Sequence, residues 1–88
     1  MSQNTSEKHP GYTDIENWLV SYLSQLLEIE PNKIDTQASF NEYGLDSSAA
    51  IVLTGDLQEW LGQNLDPTLL FDYPTIEALA NHIVTMIE

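Results

Sequence analysis

The chain has no cysteine, and of its 88 residues only Lys8 and Lys33 are basic. Without thiols, neither a disulfide framework nor a thiolate metal site can form. The two lysines face 14 acidic residues, giving a formal charge of −12. A surface of that sign repels nucleic acid and anionic lipid, which are bound through lysine and arginine, and attracts proteins with basic patches. It also keeps a small protein in solution. Long apolar runs are missing too. Nothing approaches the ~20 residues needed to cross a bilayer, and the polar residues 1–11 do not resemble a signal peptide, so a cytoplasmic protein without membrane association is expected. His9 and His82 are the only histidines. They lie far apart in sequence, with no further ligands at plausible spacing, so no metal site is expected.

A chain this short suggests one small domain, burying about 60–65% of its unfolded-chain surface. Such a core holds a few helices but not a deep catalytic cavity as well. Residues 1–11 have no periodicity and end in Pro10-Gly11, which predicts a disordered leader before a folded domain over 12–88. Thr13 and Glu16 form a capping-box pattern for the first helix. Ile15, Trp18, Leu19, Tyr22, Leu23, Leu26 and Leu27 then recur at three- and four-residue steps as one apolar face, with Trp18 and Tyr22 read as core packing rather than a ligand platform. Pro31 ends that pattern.

Lys33 to Asp46 is a long connection for so small a domain. Ile34, Ala38, Phe40, Tyr43 and Leu45 can pack it across the bundle as an ordered strap, and Gly44 supplies backbone freedom before the next helix. That helix is expected from Ser47 to Leu61, stopped by Gly62. Ala50, Leu53, Leu57, Trp60 and Leu61 share its apolar face, with Ile51 and Thr54 beside them. Ser48, Val52 and Glu59 point away, and Ala49 and Asp56 lie at the margins. Gly55 costs roughly 1 kcal/mol relative to alanine inside a helix, and close packing is the one reason available for it. A short helix is expected near Asp66 to Phe71, with Asp66 as cap and Pro67 in its first turn. The last helix follows an N-cap at Thr75 and buries Ile76, Leu79, Ala80, Ile83 and Ile87, leaving His82 solvated. The fold class is therefore all-α, a small up-and-down four-helix bundle of three main helices and one short one, with a long ordered loop between the first two helices.

No catalytic constellation accompanies this pattern. There is no glycine-rich phosphate loop, no calcium-loop ladder of carboxylates, and no general base close in sequence to Ser47. Ser47 nevertheless occupies a distinctive place. A serine at a helix start lies near unpaired backbone N–H groups and the positive end of the helix dipole, which attract phosphate. The chain looks like something acted upon rather than an enzyme.

Gly44-Leu45-Asp46-Ser47, followed by Leu69-Leu70-Phe71-Asp72-Tyr73-Pro74-Thr75-Ile76-Glu77-Ala78-Leu79-Ala80, resembles the acyl carrier protein family, most closely its polyketide synthase type. The resemblance runs from about Ile15 to Ile87. It implies that Ser47 carries 4′-phosphopantetheine, placed there from coenzyme A by a phosphopantetheinyl transferase. It further implies a carrier of acyl thioesters for acyl-loading enzymes, a ketosynthase and other enzymes of polyketide or fatty acid biosynthesis, and for so charged a small bundle a monomer is the default expectation. Asp46, Ala49, Val52, Asp56 and Glu59, with Leu70 and Ile76, would then meet those partners. Ser48 stands where the family usually has leucine, and Val52 where it frequently has glutamate, which implies a partner set different from that of fatty acid carriers. Met1 and the polar leader favour a free-standing protein.

Two alternatives remain at this level. A peptidyl carrier uses the same prosthetic group for aminoacyl units, although Asp46 and the Phe71-Asp72-Tyr73-Pro74-Thr75 block look more like polyketide carriers. An acidic helical interaction module would never be modified at all.

Overall fold

Why the first helix begins where it does is a matter of competing caps. In the computed structural model, which describes residues 10–87, α1 spans Tyr12–Leu27. Its N-cap is Gly11, whose N–H donates to Asp14 Oδ2 at 3.0 Å. This replaces the expected Thr13/Glu16 box: the Tyr12 hydroxyl donates to Glu16 Oε2 at 3.2 Å, leaving Asp14 to cap the helix start. The leader expected before it, and His9 within it, lie outside the described residues apart from Pro10 and Gly11. At the other end Glu28 takes a left-handed conformation, φ 59°, and the Ile29 N–H reaches back to Ser24 O at 3.1 Å. The helix thus ends before Pro31, which instead opens a short 3₁₀ turn over Pro31–Lys33.

The connection to the second helix is ordered, as its apolar residues predict. Ile34, Phe40 and Leu45 are buried, with Tyr43 packed beside them. The Tyr43 hydroxyl accepts from the Asp35 N–H at 2.6 Å and donates to the Asp35 carbonyl at 3.1 Å, closing the strap on itself. A 3₁₀ turn over Phe40–Tyr43 starts at Ser39, whose Oγ accepts from the Glu42 N–H. The strap is also stitched to the start of the last helix. Phe40 N–H donates to Pro74 O at 2.7 Å, Glu77 N–H donates to Thr36 O at 3.0 Å, and Ser39 pairs with Thr75 in an isolated antiparallel bridge.

Helix α2 runs Ser47–Leu61, with Gly62 left-handed after it at φ 69°, as the sequence predicts. Leu53 and Leu57 are fully buried and Ala50 and Thr54 nearly so. Two expectations fail here. Trp60 is 41% exposed because it stacks on the outer side of Trp18, with ring centroids 5.5 Å apart, and does not enter the core. Gly55 is exposed, and a Cβ built on it meets nothing within 4 Å, so close packing does not account for it. On α1, Leu26 is likewise 49% exposed. Trp18 and Tyr22 are half-buried, stacked at 5.1 Å on the rim of the core.

Asp66 caps a turn rather than a helix: its Oδ1 accepts from both the N–H and the hydroxyl of Thr68. Helix α3 therefore begins later than expected, over Leu69–Asp72. Helix α4, Ile76–Ile87, starts as predicted, with Thr75 Oγ1 accepting from Ala78 N–H at 3.0 Å, and all five expected stripe residues are buried. His82, expected in solvent, is instead stacked on Tyr73 with centroids 4.1 Å apart. Helices α1 and α4 pack most extensively on each other. Ile15, Leu19, Leu23, Leu53, Leu57, Ile76, Leu79 and Ile83 have no residual exposure and form the centre of the bundle. Each such side chain contributes roughly 1.5–3 kcal/mol on burial.

Candidate functional site

The start of α2 is set by three consecutive residues with different tasks. Gly44 takes φ 77°, a left-handed conformation that a Cβ would disfavour, and so turns the strap toward the helix. Leu45 buries its side chain and anchors the turn. Asp46 is the N-cap, with Oδ1 accepting from Ala49 N–H at 2.9 Å and its carbonyl accepting from Ala50 N–H at 2.9 Å. Ser47 is the first residue of the helix, and its side chain is exposed.

The cap leaves work undone. The N–H groups of Ser47 and Ser48 have no acceptor among the described residues. They open toward solvent at the positive end of a 15-residue helix. A phosphodiester on Ser47 Oγ would displace no buried group and would sit beside free donors. The residues present therefore fit a phosphate-linked prosthetic group. A metal site is a different matter: no cluster of three or more His, Asp or Glu able to hold a metal ion occurs among the described residues.

From Ser47 the outer face of α2 extends away at ~1.5 Å per residue, which puts Val52 ~7.5 Å, Asp56 ~13.5 Å and Glu59 ~18 Å along the axis. Val52 is 58% exposed, Ala49 half-buried and Glu59 exposed. Asp56 is exposed but engaged: its Oδ2 accepts from the Tyr22 hydroxyl at 2.9 Å. Burial first, then that hydrogen bond and the carboxylate's charge, push the Tyr22 phenol up to about 12.

Two residues expected at a recognition surface are instead buried. Ile76 has no exposed surface and Leu70 is nearly buried, because both belong to the core under α3 and α4. Leu70 instead lines a recess of about 170 Å³ with Phe40, Asn41, Leu45, Ala50, Phe71 and Pro74. Sequence reasoning in turn passed over two exposed apolar residues near the helix start. Ile51 is 57% and Phe71 63% exposed. Ile51 stands one turn from Ser47, and that i,i+4 spacing is a signal that could have found it. Phe71 lies on a one-turn helix, where no periodicity distinguishes inside from outside.

A second recess opens on the other flank of the α2 start. It is an apolar groove of about 330 Å³ between α1 and α2, lined by Tyr22, Leu26, Asp46, Ser48, Ala49 and Val52.

Residues 17–83 match the family model described as "Phosphopantetheine attachment site". The chain belongs to that family. It is a carrier domain, and its prosthetic group is covalently bound 4′-phosphopantetheine. The carrier domain is 36% identical over 73 residues to a phenolphthiocerol/phthiocerol polyketide synthase of Mycobacterium tuberculosis, an alignment covering 83% of this chain but 4% of that protein. It therefore spans only a small part of the polyketide synthase relatives it matches. A relative of similar size is the acyl carrier protein TtuC of Teredinibacter turnerae, 37% identical over 70 residues and 80% of both chains. Among solved structures, the carrier domain superposes along its whole length on Asl1650 of Anabaena, with TM-score 0.86 and 38% identity. Asl1650 is described as an acyl carrier protein with a variant phosphopantetheinylation-site sequence. The four-helix architecture of this chain is thus that of an acyl carrier.

Proposed function

We propose that residues 12–88 carry acyl or polyketide intermediates as thioesters on a 4′-phosphopantetheine arm attached to Ser47, and present them to partner enzymes. The observation that carries this is the exposed Ser47 hydroxyl, first in α2 and beside two unpartnered backbone N–H groups, in a chain of the phosphopantetheine attachment-site family. When bound, the arm supplies a thiol that holds acyl groups. The chain's own part is to hold the attachment point. Asp46 fixes the helix start, the free N–H groups favour the phosphate charge, and the α2 face gives partner enzymes a surface next to the serine.

In this role the protein is not itself catalytic and is the substrate of a separate phosphopantetheinyl transferase. Ile51 joins Asp46, Ala49, Val52, Asp56 and Glu59 on the recognition surface, and Leu70 and Ile76 leave it. A cytoplasmic monomer fits the charge of −12 and the lack of any helix long and apolar enough to cross a membrane among the described residues. Intact-protein mass spectrometry after incubation with coenzyme A and a broad-specificity transferase tests the assignment. The native chain and Ser48→Ala should each gain one phosphopantetheine, and Ser47→Ala none. Gain by Ser47→Ala, or no gain by the native chain while a known carrier is modified alongside, would refute it.

A further inference from the structure

Both tryptophans of the chain stand in one row of stacked rings on the outside of the bundle. Trp18 stacks on Tyr22 with centroids 5.1 Å apart and on Trp60 at 5.5 Å, with interplanar angles of 21° and 19°. One turn of α1 sets Trp18 beside Tyr22, while Trp60 joins the row from α2. Trp18 and Tyr22 are half-buried and Trp60 is 41% exposed, so the most open ring of the row belongs to α2.

The rings lie between two polar rims. On the α1 side an open recess of about 260 Å³ runs against Trp18 and Tyr22, edged by the exposed Ser21 and Gln25. On the α2 side Asp56 stands one turn before Trp60, with Oδ2 accepting from the Tyr22 hydroxyl and Oδ1 left over, and the exposed Glu59 directly precedes the ring. Neither helix carries a lysine, arginine or histidine. The negative charge beside the row therefore has no counter-charge on α1 or α2, and the ring faces, which attract cations, have none of their own there.

This combination names the chemistry of an occupant. A purely apolar surface laid on the row would leave Asp56 and Glu59 unpaired, and a second copy of a chain of charge −12 would bring like charge to the contact. A guanidinium meets both demands: it is planar and weakly hydrated, stacks on aromatic rings, and donates through a fork of N–H groups to a carboxylate. We infer that the Tyr22, Trp18 and Trp60 row is a docking surface for an arginine-bearing segment of a protein partner, with the guanidinium over the Trp60 ring and its N–H groups donating to Asp56. Trp60 lies ~20 Å along the α2 axis from Ser47. A partner held by these rings leaves the start of α2 uncovered, so the surface is separate from the one beside the serine and does not depend on attachment there.

Because the two tryptophans are the only ones in the chain, their indole N–H signals report on the row directly. The full, unmodified chain is titrated with a peptide of alternating glycine and arginine and followed by nitrogen-15 NMR, against the same peptide with citrulline for arginine, which keeps the side-chain shape and drops the charge. The arginine peptide should shift both indole signals and the Asp56 amide while leaving the Ser47 amide in place, and the citrulline peptide should shift none of them. Trp60→Leu keeps an apolar side chain at an exposed position and should weaken binding of the arginine peptide about two- to fivefold, the worth of one exposed cation–π contact. Equal affinity in Trp60→Leu, equal shifts from the citrulline peptide, or shifts spread over the carboxylates with both indoles unmoved would overturn the assignment. So would indole shifts that follow protein concentration without peptide, which would give the row to a second copy of the chain. Each outcome is read whether or not Ser47 accepts phosphopantetheine.

Discussion

Two glycines, one inside α2 and one just after it, have equally open surroundings and should respond oppositely to alanine. A Cβ built on Gly55 or on Gly62 meets nothing within 4 Å, so neither substitution creates a clash. The backbone decides the sign. Gly55 lies inside Ser47–Leu61 without a positive φ, so Gly55→Ala gains the full helix-propensity difference, about 1 kcal/mol, partly by restricting the unfolded chain. Gly62 closes the helix at φ 69°, where a Cβ approaches the following carbonyl, and Gly62→Ala should cost about 1 kcal/mol. For a domain of this size each change moves Tm by about 4–8 °C, upward for Gly55→Ala and downward for Gly62→Ala. Urea denaturation followed by circular dichroism measures both, and the slope should stay constant because neither variant alters the surface exposed on unfolding. A Gly55→Ala midpoint equal to or below the native one would refute the reasoning, since it would mean that something other than solvent faces that position.

Glu28 is the one non-glycine residue with positive φ among the described residues, so Glu28→Gly should stabilise the chain by about 1 kcal/mol, read as a raised Tm. Tyr22 has a folded-state value raised above 10, so its protonated form favours folding. That contribution is complete below pH 10 and is lost as pH rises through about 12, so native stability should fall over that window more steeply than that of Tyr22→Phe. Titration of tyrosinate absorbance should show the Tyr22 phenol ionising near 12, and Asp56→Asn should bring it down.

Much of the bundle was legible because helix signals and core signals agreed. Ser47 to Leu61 follows from a capping Asp46, an apolar row and a closing Gly62, and Thr75 opens α4 for the same kind of reason. What escaped the sequence depended on neighbours that a linear pattern does not name. Trp60 and Leu26 fit an apolar face by spacing. Where such a face ends, however, is set by the opposing helix, and Trp60 found Trp18 at the rim instead of the core. Thr13 with Glu16 and Gly11 with Asp14 are overlapping caps for one helix, and the Tyr12–Glu16 bond goes with the second. The tie between Asp56 and Tyr22 joins residues 34 apart in sequence, so nothing local announced it. For the candidate site, position was readable and relief was not. Ser47 stood out by its place at a helix start, while the burial of Leu70 and Ile76 and the exposure of Phe71 were decided by how the strap and α3 close over the core.

The proposed role asks for a movable arm on an immovable base, and the strap explains how so small a domain makes the base firm. A helix start is ordinarily the part that frays, because its first N–H groups lack partners. Here the approach to Ser47 is pinned at several points. Phe40, first in the 3₁₀ turn, and Leu45, beyond its end, are buried, Phe40 N–H is bonded to Pro74 O, and Glu77 N–H is bonded to Thr36 O. These bonds tie the segment before α2 to the start of α4, whose own apolar stripe packs on α1. To loosen Ser47, the chain would have to give up buried contacts in the strap together with the cap at Asp46. The donors that remain free at Ser47 and Ser48 are therefore held in place by the core rather than by one another, and the start of α2 can keep two unpaired N–H groups facing solvent without fraying.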